Sequence, residues 1–135
     1  MKIKKHILDT IIAHAKKEAP LECCGYLAGS SGIITQVYAL ANVDKSNEHF
    51  SFDTKEQFAA MRDARAKGLE ICSVYHSHPA SPARPSQEDI KLAYDPDILY
   101  TIVSLAGEKE EVKVFRIKSR KAEPVDLEVV DNESI

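Results

Sequence analysis

Apolar residues recur along this chain with two different periods, and the switches between them mark out the elements. Over residues 3 to 17, Ile7, Leu8, Ile11, Ile12 and Ala15 fall at helical spacing with lysines between and after them. This predicts an amphipathic helix, stopped by Pro20. CCGYLAG and IITQVYAL flank the turn residues Ser30-Ser31-Gly32 and predict a β-hairpin ending near Leu40. The polar run NVDKSNEH has no period and reads as a loop, followed by a short strand around FSF. Asp53 with Glu56 three positions on makes a capping-box pattern, and Gly68 behind Lys67 closes the helix it opens. That helix is expected to bury Phe58, Met61 and one of its alanines.

LEICSVYH is β-branched and apolar enough to be a strand, which must end as Pro79 arrives because proline cannot donate to a ladder. Prolines 79, 82 and 85 predict a stiff, extended loop. Ser86 then opens a short helix through about Tyr94, ended by Asp95-Pro96, and ILYTIVSL, EVKVFRI and VDLEVV read as strands. ILYTIVSL is apolar on both faces and belongs in the centre of a sheet. DNESI reads as a loose tail.

With 135 residues, 44% of them hydrophobic, the chain has the size and core of one domain, residues 1–135, of which 119–135 are a C-terminal strand plus the tail. A formal net charge of −3 supplies no basic face, so nucleic acid is not an expected partner. No apolar run approaches the ~20 residues needed to span a bilayer. Asp9, His14 and Lys16 interrupt any uncharged signal-peptide core, so no membrane is expected and the expected location is cytoplasmic. Cys23, Cys24 and Cys72 are too few for a disulfide framework. Adjacent Cys23 and Cys24 point to opposite faces of a strand and read as buried thiols, with a catalytic thiol as the sharper alternative.

The chemistry concentrates in YHSHPASPARPSQEDI, residues 75 to 90. In an extended chain His76 and His78 project to one face, roughly 6.5 to 7 Å apart, and can lean toward a common point. Alone, an H-x-H describes many ordinary surface or core histidines. Ser86-x-x-Asp89 is also how many helices begin. The two readings conflict over Asp89, since a carboxylate bound to a metal is not expected to turn back and cap its own helix. Two histidines and an aspartate make the three-protein-ligand count of catalytic zinc, with one position left open. Hydrolysis also needs a general base, for which Glu22 in APLECCGYLAG is the candidate; an exposed turn glutamate is the plainer reading.

Together, Glu22 followed by C-G-Y-L-A-G, then H-S-H-P, then Ser86 and Asp89 complete the pattern H-x-H-x7-S-x-x-D. In this the chain resembles the JAMM (MPN+) family of zinc metalloproteases, over roughly residues 3 to 118. The resemblance implies an α/β (α+β) fold, a curved mixed β-sheet packed by helices in a single domain. It implies Zn²⁺ held by His76, His78 and Asp89, with Glu22 activating water and protonating the leaving nitrogen. Ser86 would stabilise the oxyanion. Ser77, pointing away, is assigned no chemistry.

The implied reaction is hydrolysis of the peptide or isopeptide bond after the C-terminal tail of a ubiquitin-like protein. The short chain, with no room for the insertions of eukaryotic-type relatives, points to a minimal prokaryotic-type member and small sulfur-carrier proteins. The tail is expected to add as a strand beside a sheet edge near the zinc, with NVDKSNEHFSF as a flanking wall. His6, His14 and His49 are expected at the surface. A non-catalytic MPN-type scaffold and a zinc amidohydrolase of another substrate are the alternatives.

Overall fold

A computed structural model describes residues 1–132. Eight strands form one mixed sheet: β1 (Lys2–Lys4), β2 (Cys24–Ser30), β3 (Ile33–Leu40), β4 (Glu70–His78), β5 (Leu99–Ser104), β6 (Glu111–Lys118), β7 (Lys121–Val125) and β8 (Glu128–Val130), in the order β7-β6-β5-β4-β2-β3-β1-β8. Among the described residues three helices join them: α1 (Lys5–Glu18), α2 (Thr54–Ala66) and α3 (Gln87–Lys91). The sheet is antiparallel except where β4 meets β5 and where β1 meets β3 and β8.

Ile7, Ile11 and Ala15, one stripe of α1, pack on Ile3, Leu27, Ile34, Tyr75 and Val103 from one face of the sheet. Each such fully buried aliphatic side chain contributes about 1.5–3 kcal/mol. The opposite face carries α2 over Tyr26, Leu40 and Val74, and a second cluster in which Ile90 of α3 leans on Ala83, Ile102, Phe115 and Ile117. In α2 the buried residues are Ala60 and Ala64, whereas Phe58 and Met61 are 55% and 45% exposed. The expectation for those two fails because the helix lies on the sheet through its small residues. Phe58, two positions before Ala60, is then turned nearly half a revolution away.

Other boundaries differ as well. Residues 2–4 form a short strand between β3 and β8 that helical periodicity concealed, and FSF is no strand, only a bridge between Asn42 and Phe52. VDLEVV splits between the end of β7 and β8, and α3 stops at Lys91 instead of near Tyr94. The tail is partly held: Lys4 Nζ donates to the carbonyls of Asp131 and Asn132, and the Asn132 side chain accepts from the His6 amide. Residues 133–135 of that expected loose tail lie outside the described residues. Among the described residues no helix is long and apolar enough to cross a membrane.

Candidate metal centre and its surroundings

Strand β4 is paired on both sides, to β2 with Cys24 opposite His76 and to β5 with His78 opposite Ser104. Strand alternation sends Tyr75 and Ser77 toward α1 and leaves Val74, His76 and His78 on the other face. Ser77 is accordingly structural, its Oγ accepting from the Cys23 amide at 2.7 Å. Full pairing of β4 also removes the edge beside which a substrate tail was expected to lie. The outer strands of the sheet are β7 and β8, three and four places away.

The proline loop returns Asp89 to the histidines. Ala83 is buried among Ile102, Phe115 and Ile117, and the Ser104 hydroxyl donates to the Ser81 carbonyl at 2.6 Å, so the loop is pinned to the sheet. Three distances then close a triangle: His76 Nε2 to His78 Nε2 is 3.1 Å, His76 Nε2 to Asp89 Oδ2 is 3.2 Å, and His78 Nε2 to Asp89 Oδ2 is 3.1 Å. The edge of a zinc tetrahedron with bonds of 2.0–2.1 Å is about 3.3–3.4 Å. The residues therefore fit a small cation, and two nitrogens with one carboxylate oxygen suit zinc. His78 Nδ1 lies 2.8 Å from the Pro82 carbonyl, to which it donates, and this leaves the lone pair of Nε2 for a metal.

The choice posed for Asp89 between helix cap and ligand is no choice in three dimensions. The same Oδ2 that faces both histidines accepts from the Ser86 amide at 2.9 Å, while Ser86 Oγ accepts from the Asp89 amide at 3.0 Å. A carboxylate oxygen has two lone pairs, and one suffices for the cap. Burial works to raise the Asp89 carboxyl. The His76 and His78 rings that face it, together with the Ser86 amide, outweigh burial and hold the carboxyl far below the usual carboxylate range.

Glu22 enters from the residue pair preceding β2 and is only 4% exposed. Burial raises its carboxyl above the ordinary value of 4.5, against the pull of His76 and His78, so it sits within the field of the triangle. Its Oε1 has no partner among the described residues. Ser86 is exposed at the N-cap of α3 and keeps its hydroxyl proton available. The geometry thus brings His76, His78 and Asp89 together, sets Glu22 within their electrostatic field and leaves Ser86 at the rim. Beside them opens a cleft of about 450 Å³, walled by Tyr26, Phe50, Phe52, Val74, Ile98 and Tyr100 with His76 and Asp89 also lining it. The segment NVDKSNEHFSF supplies part of that wall, and His49 in it bonds Asp44. His14, expected at the surface, is instead part-buried against the Tyr75 hydroxyl at 2.8 Å.

The cysteines are no nucleophiles of this cleft. Burial pushes the Cys23 thiol up to about 11 and the Cys24 thiol up to about 12, so neither is a thiolate at neutral pH.

Residues 4–118 match the model of the prokaryotic homologues of the JAB domain. The chain belongs to that family. Among relatives of this JAB domain, the CysO-cysteine peptidase of Mycobacterium tuberculosis is 32% identical over 118 residues, 85% of this chain and 81% of that protein. The desampylase of Pyrococcus furiosus is 29% identical over 122 residues, 86% of each. Of solved structures, protein DSY2949 from Desulfitobacterium hafniense superposes with a TM-score of 0.88 at 40% identity, covering 96% of this chain and 92% of that one. A structure described as "JAMM: a metalloprotease-like zinc site in the proteasome and signalosome" superposes at 0.63 with 27% identity, covering 96% and 97%. The JAB domain is a hydrolase of the JAMM type, in a single α+β sheet architecture.

Sequence reasoning missed Phe50, whose ring stacks on His76 with centroids 4.8 Å apart. Its segment was expected as a flanking wall, but nothing in an aperiodic polar run singled out Phe50 as the ring that meets His76.

Proposed function

We propose that this JAB domain is a zinc-dependent peptidase or isopeptidase that hydrolyses the bond following the C-terminal tail of a ubiquitin-like, sulfur-carrier-type protein. The observation that carries this is the triangle of His76, His78 and Asp89 donors, 3.1–3.2 Å on each side, with the buried Glu22 carboxyl in its field. Support for the substrate comes from relatives named for CysO-cysteine and desampylation.

His76, His78 and Asp89 would hold the zinc, which when bound would supply Lewis acidity and lower the pKa of a water to about 7. Glu22 takes the proton of the attacking water at its carboxylate and returns it to the leaving nitrogen. Its raised affinity for a proton suits both halves of that shuttle. Ser86 Oγ donates to the oxyanion, while its amide keeps Asp89 in place. Because β4 has no free edge, the tail lies across the apolar cleft between Phe50, Phe52 and Tyr100 instead of joining the sheet. A non-catalytic scaffold has no use for a buried, unpartnered carboxyl beside a complete donor set, since that carboxyl costs stability.

The test incubates the protein with ubiquitin-like carriers bearing C-terminal extensions, with and without chelator, and locates any cut by mass spectrometry. Cleavage after the carrier's last residue, lost with chelator and restored by zinc, is expected. Cleavage that survives metal removal, or zinc-loaded protein that cuts none of the carriers, would overturn the reading.

A further inference from the structure

We propose that residues 42–52 form a clamp that orients His76 and the main chain of Glu22 together, with Phe50 as the positioning residue for His76 and Asn42 as the pin of the loop. The inference rests on the zinc reading above.

A histidine that ligates a metal ordinarily gives its second ring nitrogen to a carbonyl, carboxylate or water, which fixes the plane of the ring. His78 does so through the Pro82 carbonyl. His76 does not: its Nδ1 is buried and has no partner among the described residues. What lies against the His76 ring is Phe50, 4.8 Å between centroids with an angle of 29° between planes. The two imidazoles are therefore held by different means, one by a hydrogen bond and one by a stacked ring.

A stacked ring positions its neighbour only if its own backbone is fixed, and Phe50 belongs to no helix or strand. The loop is fixed from within. Asn42 Oδ1 accepts from the amides of Asp44 at 3.1 Å and Ser51 at 3.2 Å, and Asn42 Nδ2 donates to the carbonyls of Glu22 at 3.1 Å and His49 at 3.0 Å. Both donors and both acceptor sites of the amide are thus used. Asp44 Oδ2 accepts from Ser51 Oγ at 2.7 Å and lies 3.0 Å from His49 Nδ1. The Glu22 amide donates to the Ser46 carbonyl at 2.8 Å. One loop consequently grips residue 22 through both its amide and its carbonyl, while its far end presses on His76.

The decisive measurement is the zinc dissociation constant of the full chain by competition with a chromophoric chelator, which needs no substrate. Phe50→Leu removes the ring and is expected to weaken zinc by about 10- to 100-fold, the range for losing a group that orients a ligand. Phe50→Tyr keeps the stack and is expected to stay within about threefold of the parent. Asn42→Ala should weaken zinc in the same direction, since unpinning the loop releases Phe50. Ser51→Ala, at an exposed position whose hydroxyl bonds Asp44, loosens the same loop and should do so by a smaller factor, and it serves if Phe50→Leu fails to fold. The clamp is refuted if Phe50→Leu and Ser51→Ala bind zinc within about twofold of the parent, or if Phe50→Tyr loses as much as Phe50→Leu. A parent that takes up no zinc sinks the metal reading and the clamp with it. A parent that binds zinc and cuts no carrier counts against the substrate alone.

Discussion

Glu22 is the residue at which stability and chemistry pull apart. Its carboxyl is buried, one oxygen has no partner among the described residues, and burial raises its pKa, so the folded chain holds that proton to higher pH than the unfolded chain does. The sign follows: a pKa higher in the folded than in the unfolded chain adds stability that is fully present below the ordinary value of 4.5 and is lost as pH rises through the folded value. In metal-free protein, Glu22→Gln is therefore expected to melt with the parent at pH below 4.5 and above it at neutral pH. Thermal melts across pH check this, and a parent more stable than the variant at pH 7 would contradict it. On zinc-loaded protein the same substitution should keep the metal and lower kcat by about 10²–10⁴, the usual worth of a positioned proton-transfer group. The glutamate was legible as a candidate from its place before CCGYLAG; its burial was not, because an isolated turn glutamate is normally exposed.

At the scale of the element, α3 shows a motif that a linear reading treats as one thing or another. It is five residues long, with Ser86 and Asp89 making reciprocal capping bonds. The cap fixes the rotamer of Asp89, and that rotamer aims Oδ2 at the histidines. Ser86→Ala should cost about 1 kcal/mol of stability through the lost cap. If Ser86 supplies the proposed oxyanion hydrogen bond, the same change should also lower kcat by about 10²–10³. Ser86→Thr, which retains both functions, should recover most of the rate. Steady-state kinetics beside thermal melts separates the two effects, and a rate loss no larger than the change in folded fraction would remove Ser86 from the chemistry. Strand β4 is the contrasting case: its β-branched and apolar run announced it, and Pro79 ended it where expected. Helix α2 was announced equally well by Asp53, which accepts from the amides of Lys55 and Glu56. Its Glu56 does not complete the box but accepts from the Ala41 amide, tying the helix to the end of β3.

Across the whole molecule, close packing under the centre depends on glycine. A Cβ at Gly25 would lie 2.3 Å from the Tyr38 carbonyl and 2.4 Å from the ring of the fully buried Tyr75. Gly25→Ala should cost about 1–3 kcal/mol by overpacking, read from urea midpoints, and an unchanged midpoint would show that the sheet yields there at no cost. The far edge behaves oppositely. β8 is four places from β4, so deleting residues 128–135 should lower the melting temperature yet leave zinc affinity within about twofold, since local elements open with their own free energies. A proportionate loss of zinc would mean that edge and site form one cooperative unit.

The sequence alone determined the elements whose signal is local, namely the hairpin around Ser31-Gly32, the two longer helices, the histidine strand and the spacing of His76, His78, Ser86 and Asp89, because period, caps and prolines act over a few residues. Tertiary structure alone decided that one oxygen of Asp89 caps its helix while facing both histidines, that Glu22 is buried within the field of that cluster, that β4 has no free edge, and that Phe50 faces His76. Those facts depend on which segments distant in sequence are brought into contact, and no local pattern of side chains encodes that distance.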